Sequence, residues 1–399
     1  MRLVYVTSAL PYGSREPFLI AEIDELLHSG VELIIVPMRP QGAVAHMDVK
    51  PFLDRTLARP LICGEIVRDA IAEARESPRR TLAALRLVLS TRSLRILLKN
   101  LGVFPKGIWL ARRVRLAGAD HLHAHWASTS STMALVAAEI SGIPWSLTAH
   151  RWDIPEDNLL AAKAAHACFL RTISRWGARA VAALAGADVD RIQVLHVGIR
   201  LPERPPPTPL RVEQPLRVVA VADFVEVKGH RYLLDALELL ADRGVPVRVD
   251  LVGSGPLRPQ LERRIATGPL RGTVRLLGVI SHARLLDDLR AHRWDAAVLP
   301  SIVTDDADEG IPVALMEAMA SGLPVLSTRT GAIPELLDGG AGLLVAGGDA
   351  KAFADGLERL AGDSELRALL AVRGRRRVER EFDVVQIAST LVRSFAGCR

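Results

Sequence analysis

The sequence predicts an α/β protein made of two doubly wound halves, each a parallel sheet covered by helices on both faces. Three observations predict it. Short, continuously apolar runs alternate with amphipathic stretches, the pattern of strands buried on both faces. A proline-rich segment near the middle interrupts that alternation. The 399 residues are too many for one ordinary core, so two domains follow.

Taken in order, RLVYVT at residues 2–7 is an apolar first strand, and VELIIVP (31–37) is the next. Residues 77–119 then hold ten Lys or Arg and no Asp or Glu. Within them LAALRLVLSTRSLRILLKNL places apolar residues at helical spacing with basic residues between. Two readings stand side by side. One is a helix pair resting on an anionic membrane and reaching a lipid-linked acceptor. The other is an ordinary core-packed pair whose basic outer face is solvated. HLHAHW (121–126), PWSLTA (144–149), CFLRTIS (168–174) and RIQVLHV (191–197) complete the strands of the first half.

Five prolines between Pro202 and Pro209 and no apolar periodicity mark residues 201–215 as a linker. The first domain is therefore 1–200 and the second 216–381. LRVVAVA (216–222) opens the second half and a helix follows over about 229–243. VRVDLVG (247–253), a glycine turn and a helix near 257–265 come next. TVRLLG (273–278), DAAVLP (295–300), PVLST (324–328) and GLLV (342–345) continue the series, with a helix over about 349–360. Open parallel sheets bind ligands at the C-terminal ends of their strands.

Composition narrows the function. The formal charge is +6, but 45 of the 51 basic residues are Arg, which with the alanine richness points to a coding bias. Aromatics are only 4%, too few for the interleaved stacking of a nucleic-acid binder. No apolar run approaches the ~20 residues of a membrane span, and the N-terminus lacks a long signal-type apolar region. Cys63, Cys168 and Cys398 are odd in number and scattered, which suggests neither a disulfide framework nor a metal knuckle. A reducing, cytoplasmic location is the resulting expectation. His121, His123 and His125 share one face of a strand. With no cysteine or acidic cluster beside them they are not read as a zinc site.

The most informative stretch is EGIPVALME, Glu309 to Glu317. Pro312 suits a first helical position. Its helix would present the free N–H groups of Gly310, Ile311 and Val313 and a positive dipole end, which suit a phosphate. A carboxylate lies on either side, at most ~12 Å apart along the axis. One could take sugar hydroxyls and the other ribose hydroxyls, the layout of a sugar nucleotide.

PSIVTDDADEGIPVALMEAMASGLPVLSTRTGAIPELL (300–337) resembles the retaining glycosyltransferases of family 4, which have the GT-B fold. VKGHRYLLDAL, VGSGPL, HLHAHWA, LTAHRWDI and HVGI add support in the expected order, so the resemblance covers most of the chain. It implies two Rossmann-like domains, the first binding the acceptor and the second the donor. A last helix, within 382–399, crosses back to the first domain.

The resemblance also implies roles. Glu309 holds donor-sugar hydroxyls with help from Gly310, Ile311 and Val313, beside Pro312, and Glu317 grips the ribose. Lys228 pairs with the diphosphate. Gly253 and Gly255 lie near that diphosphate, although a tight structural turn explains them equally. Val279 and Ile280 border the nucleobase. His150 faces the sugar and the scissile bond, Asp153 orients its loop, and His123 lines the acceptor side. Gly13 stands where the family often has two glycines. Asp223 stands where the family usually has an arginine, and Arg329 is the candidate replacement for the missing charge. No protein-bound metal or cofactor is expected. The donor would be a nucleotide-diphosphate sugar such as a UDP- or GDP-sugar, and the acceptor a carbohydrate, a lipid-linked glycan or a small molecule. A GT-B epimerase or hydrolase, or a non-catalytic carbohydrate-binding protein, remains open at this point.

Overall fold

The computed structural model describes the chain apart from residues 14–15, 45–48, 189–191, 203–213, 306–307 and 399. Most of the expected linker over 201–215, and Ser14 beside Gly13, lie outside the described residues. The chain forms two compact units. One comprises Met1–Gly198 with Val384–Arg399, the other Ile199–Asp383.

The first unit is a six-stranded parallel sheet. Its strands are β1 (Arg2–Thr7), β2 (Glu32–Pro37), β3 (His121–His125), β4 (Trp145–Ala149), β5 (Phe169–Thr172) and β6 (Ile192–Val194), in the order β2-β1-β3-β4-β5-β6. Both faces of β1 are buried. Val4 and Val6 belong to one apolar cluster, while Leu3 and Tyr5 belong to another that includes Leu391 and Phe395 of the C-terminal helix. Continuous rather than alternating hydrophobicity is thereby explained. Each fully buried Val or Leu contributes about 1.5–3 kcal/mol.

The second unit repeats the plan with β7 (Leu216–Val221), β8 (Val247–Val252), β9 (Val274–Gly278), β10 (Ala296–Leu299), β11 (Val325–Thr328) and β12 (Leu343–Val345). The order is β12-β11-β10-β7-β8-β9, all pairings parallel. The direction of winding reverses between β1 and β3 in one sheet and between β7 and β10 in the other. At such switch points the connections leave in opposite directions and open a crevice beyond the strand ends.

The final helix, Val384–Ala396, belongs to the first unit. Phe395 packs 5.7 Å from Phe169, and Gln193 Nε2 donates to Ser394 Oγ at 2.9 Å. This return corrects the cysteine expectation. Cys168, just before β5, is bonded to Cys398 across 230 residues, with Cα atoms 5.9 Å apart. Sequence spacing hid the pair because only the folded-back helix brings it together. The cysteines therefore give no support to a reducing compartment; Cys63 is free. Among the described residues no helix is long and apolar enough to cross a membrane.

The first unit also encloses a charged pair. Glu22 Oε2 accepts from Arg171 Nη1 at 2.7 Å, with the Arg171 side chain fully buried. Burial alone would raise the Glu22 carboxyl, yet Arg171 and His125 hold it well below the usual carboxylate range. Removing one partner of a buried pair leaves an uncompensated charge. Glu22→Gln is therefore expected to cost about 3–5 kcal/mol, read as a lowered urea midpoint of the full chain. An unchanged midpoint would mean that the carbonyls of Leu195 and His196, which Arg171 also meets, suffice.

Candidate functional site

The second unit's switch point carries the clearest constellation. After β7 the chain turns through Glu226–Lys228, and the helix His230–Asp242 follows. After β10 it runs through Pro300 and Ser301 towards Glu309. Ile302 N–H donates to the Val227 carbonyl at 2.9 Å and ties the two loops. Lys228 Nζ lies 2.9 and 2.7 Å from the two oxygens of Glu309. Ser301 Oγ donates to Glu309 Oε2 at 2.9 Å. The Ser301 carbonyl accepts in turn from Thr328 and Thr330 hydroxyls at 2.6 and 3.0 Å. Two residues singled out separately in the sequence thus form one ion pair 81 positions apart, and Ser301, which sequence reasoning missed, orients it.

Glu309 is also fixed through its backbone. Gly331 has φ +57°, and a Cβ there would lie 1.9 Å from the Glu309 carbonyl oxygen. The next N–H, of Ala332, donates to that same oxygen at 2.9 Å. The TGAIPE turn therefore needs glycine so that the main chain can approach Glu309 closely.

The helix Val313–Ala320 follows. Pro312 is its extended cap (φ −77°, ψ 118°) rather than its first helical residue, a shift of one position from the expectation. Its N-terminus still faces the loop: among the described residues the N–H groups of Gly310, Ile311 and Val313 have no backbone acceptor. Leu315, Met316, Ala318 and Met319 are buried, which leaves Glu317 the polar residue of an apolar helix. A buried carboxylate needs a partner. That partner is His282, whose Nε2 lies 2.6 Å from Glu317 Oε1. Glu317 Oε2 has no partner among the described residues. His282 went unnoticed in the sequence, where its only signal is a histidine just after Ser281 at the start of a helix.

The other expected donor residues are placed as follows. Gly253 has φ +146°, and a Cβ would lie 2.0 Å from the Ala222 carbonyl oxygen, so its glycine is required by the close approach of the loop after β7. Gly255 sits in the same turn, under Phe224. Val279 is exposed and Ile280 half-buried beyond β9. Arg329, after β11, is exposed and its guanidinium has no partner among the described residues; Asp223, after β7, is exposed as well.

The first unit's strand ends are filled by the protein itself. Glu16 accepts the N–H groups of Ser8, Ala9 and Leu10 at 3.1, 2.8 and 2.8 Å and Trp126 Nε1 at 2.6 Å. Gly13 lies in that loop, its N–H bonded to Ala43. His150 follows β4. Its N–H donates to Asp153 Oδ1 at 2.8 Å, and Asp153 Oδ2 accepts the Ala127 N–H, so Asp153 orients the loop. His150 Nε2 is 3.1 Å from His125 Nδ1, and His125 Nε2 is 3.2 Å from Glu22 and hydrogen-bonded to the Tyr5 hydroxyl. His150 also lies against Trp126, ring centroids 4.4 Å apart.

His123 needs correction. It is fully buried, with ring nitrogens 2.7 Å from Ser146 Oγ and 3.0 Å from Thr148 Oγ1, so it packs the core beside Phe395 and lines no acceptor surface. Period two places a histidine on a face but does not say that a helix covers that face. His121 shares the Ser146 hydroxyl. Among the described residues no cluster of His, Cys, Asp or Glu is arranged to hold a metal ion.

A model of the family described as "Glycosyl transferases group 1" matches residues 215–363. The chain is 36% identical over 203 residues to the amylovoran biosynthesis glycosyltransferase AmsK of Erwinia amylovora, covering 50% of this chain and 49% of the relative. It spans about half the length of the curated relatives of this kind. Against the D-inositol 3-phosphate glycosyltransferase of Xylanimonas cellulosilytica it is 30% identical over 337 residues, 74% of this chain and 76% of the relative. Among solved structures, Anabaena Alr3699/HepE in complex with UDP superposes with a TM-score of 0.70 over the whole of both chains at 17% identity.

Two outcomes follow from this geometry. Gly331→Ala should cost at least about 1–3 kcal/mol from backbone strain, before the clash with Glu309. A urea midpoint equal to that of the unchanged chain would remove the close approach. Burial also pushes His121 and His230 down to about 4. The folded state then binds fewer protons than the unfolded one between about 6.5 and about 4, so each histidine lowers stability by about 1.4 kcal/mol per pH unit as pH falls through that window. Asp153, pushed up by burial, works in the opposite direction. His230→Leu should flatten the acid slope of urea stability by about one proton; an unaltered slope would contradict the neutral buried ring.

Proposed function

Since the chain belongs to the group 1 glycosyl transferases and has the GT-B fold, we propose that it moves a sugar from a nucleotide-diphosphate sugar to a hydroxyl acceptor, with retention at the anomeric carbon. The observation that carries this reading is the Lys228–Glu309 pair beside the N–H groups of Gly310, Ile311 and Val313, which have no backbone acceptor among the described residues. A diphosphate at that corner meets an ammonium and a helix N-terminus, both suited to charge on a leaving group. Glu309 then accepts hydroxyls of the sugar. Glu317, held on one oxygen by His282, offers the other to the ribose. Arg329 supplies the second cation that Asp223 does not.

Among the described residues no pair of carboxylates flanks a nucleophile position, so the reading is same-face attack rather than double displacement. The leaving diphosphate helps to take the acceptor proton. The protein's share is positioning and charge stabilisation. The family resemblance assigns no metal to this reaction, and His150 and Gly13 keep their substrate roles on that resemblance alone. The UDP complex of the Anabaena protein supports a uridine nucleotide. The relative named for amylovoran biosynthesis supports a carbohydrate acceptor.

A thermal-shift screen of nucleotide sugars identifies the donor, because a ligand that binds only the native state raises the midpoint. With that donor, Lys228→Ala and Glu309→Ala should each lower kcat by about 10²–10³. Proton NMR of the product should show the anomeric configuration of the donor. Full activity in Glu309→Ala would remove this carboxylate from the site, and an inverted product would overturn the mechanism. Free sugar or an epimer without glycoside would favour a hydrolase or epimerase instead.

A further inference from the structure

We propose that the outer face of the helices Pro78–Leu89 and Leu94–Leu116 docks on an anionic lipid bilayer. The inward stripe of the first helix holds Ala84 and Val88, and that of the second Ile96, Asn100 and Val103. An ordinary surface helix would turn polar residues the other way. Here the opposite stripe of the second helix is Leu94, Leu98 and Leu101, at spacing i, i+4, i+7, with Leu94 70% and Leu98 62% exposed. On the first helix the outward stripe runs Arg79, Leu82, Arg86, Leu89, at steps of three and four. Leu82 and Leu89 are about half exposed. Arg92 and Arg95 join the two stripes at the corner between the helices.

Most of the charges fall into two groups; of the others, Arg80 donates to the Ile140 carbonyl at 3.2 Å and Lys99 pairs with Glu156 at 2.9 Å. Lys106 is buried, donating to the carbonyls of Pro37, Met38 and Arg59. Arg112, Arg113 and Arg115 pair with Glu76, with Glu65 and Asp69, and with Glu73. By contrast Arg79, Arg86, Arg92 and Arg95 are exposed, and none has an ion-pair partner among the described residues. Apart from Arg80 and the buried Lys106, the cations without an acid partner among the described residues therefore stand among the outward leucines. A stripe of leucines flanked by free arginines matches a bilayer surface of acidic headgroups over acyl chains. A second copy of this chain would set like charges against each other. Nucleic acid would leave the leucines uncovered, and no aromatic interleaves these arginines.

The test is flotation of the full chain with phosphatidylcholine vesicles, with and without phosphatidylglycerol, at low and high salt. Binding to the phosphatidylglycerol vesicles that weakens with salt is expected. Removal of each outward arginine should weaken it about fivefold, converted from about 1 kcal/mol per basic residue at the surface. Leu94→Glu with Leu98→Glu should abolish it without moving the melting temperature, since both side chains point outward. Absence of flotation at low salt, binding as strong to pure phosphatidylcholine, or undiminished binding of the leucine variant would each overturn the proposal. So would a dimer that the leucine variant dissociates. None of these readouts depends on sugar transfer, so the docking face fails or stands apart from the proposed activity.

Discussion

The ion pair between Lys228 and Glu309 organises the second unit. Glu309 is almost buried, and a carboxylate removed from water is costly unless a charge and hydrogen bonds compensate it. Lys228 supplies the charge and Ser301 the hydrogen bond. Each comes from a different strand end, so the pair can form only where β7 and β10 diverge. Thr328 at the end of β11 and Thr330 just beyond it fix Ser301, and Gly331 and Ala332 fix the main chain of Glu309. Three stretches of chain, around Lys228, from Ser301 to Glu309 and from Thr328 to Ala332, are thereby locked around one carboxylate. Well-packed apolar residues could stabilise a core at least as well. Retention of charge at a crevice is better explained by what the crevice meets.

The first unit makes the contrast. Its switch point also gathers charge, but there the protein satisfies the groups internally. Glu16 occupies the backbone donors after β1, and Glu22 is closed off by Tyr5, His125 and Arg171. In the second unit the helix N–H groups, one oxygen of Glu317 and the Arg329 guanidinium have no partner among the described residues. Two sheets of the same plan therefore differ in what they leave unsatisfied, and among the described residues the second is the one with helix N–H groups and a cation left over. The same comparison demotes His123. A histidine whose two nitrogens are both spent on buried hydroxyls has nothing left for a substrate.

Much of this was legible in the chain. A nearly continuous apolar run such as LRVVAVA suits a strand covered on both faces, and each of the twelve strands among the described residues falls within a stretch marked in the sequence, although β3 carries three histidines and β4, β5 and β6 carry polar residues. Glu309 and Glu317 were legible because a proline and a glycine bracket a short apolar helix. What stayed hidden were the partners. Lys228 with Glu309, His282 with Glu317, and Cys168 with Cys398 are separated by 81, 35 and 230 residues. Periodicity reports the face on which a residue lies, and strand order decides what lies opposite. Strand order is set by crossovers whose apolar patterns are alike, so no local signal names the pairing.

The helices of residues 78–116 show the same limit from the other side. Helical spacing there predicts an apolar stripe, and leucine is so abundant that two stripes exist on each helix. One sequence pattern serves both a core-packed pair and a membrane-facing one. The choice depends on which stripe the sheet can accommodate. Over residues 84–103 the buried stripe holds Ala84, Val88, Ile96, Asn100 and Val103, mostly side chains smaller than leucine, which let the helices approach their neighbours closely. Asn100 completes that seam by donating to Asn158 Oδ1 at 2.9 Å. The bulkier leucines are thereby turned outward together with arginines that meet no acid among the described residues. Close packing inside, rather than any preference of the surface for leucine, has left this face apolar.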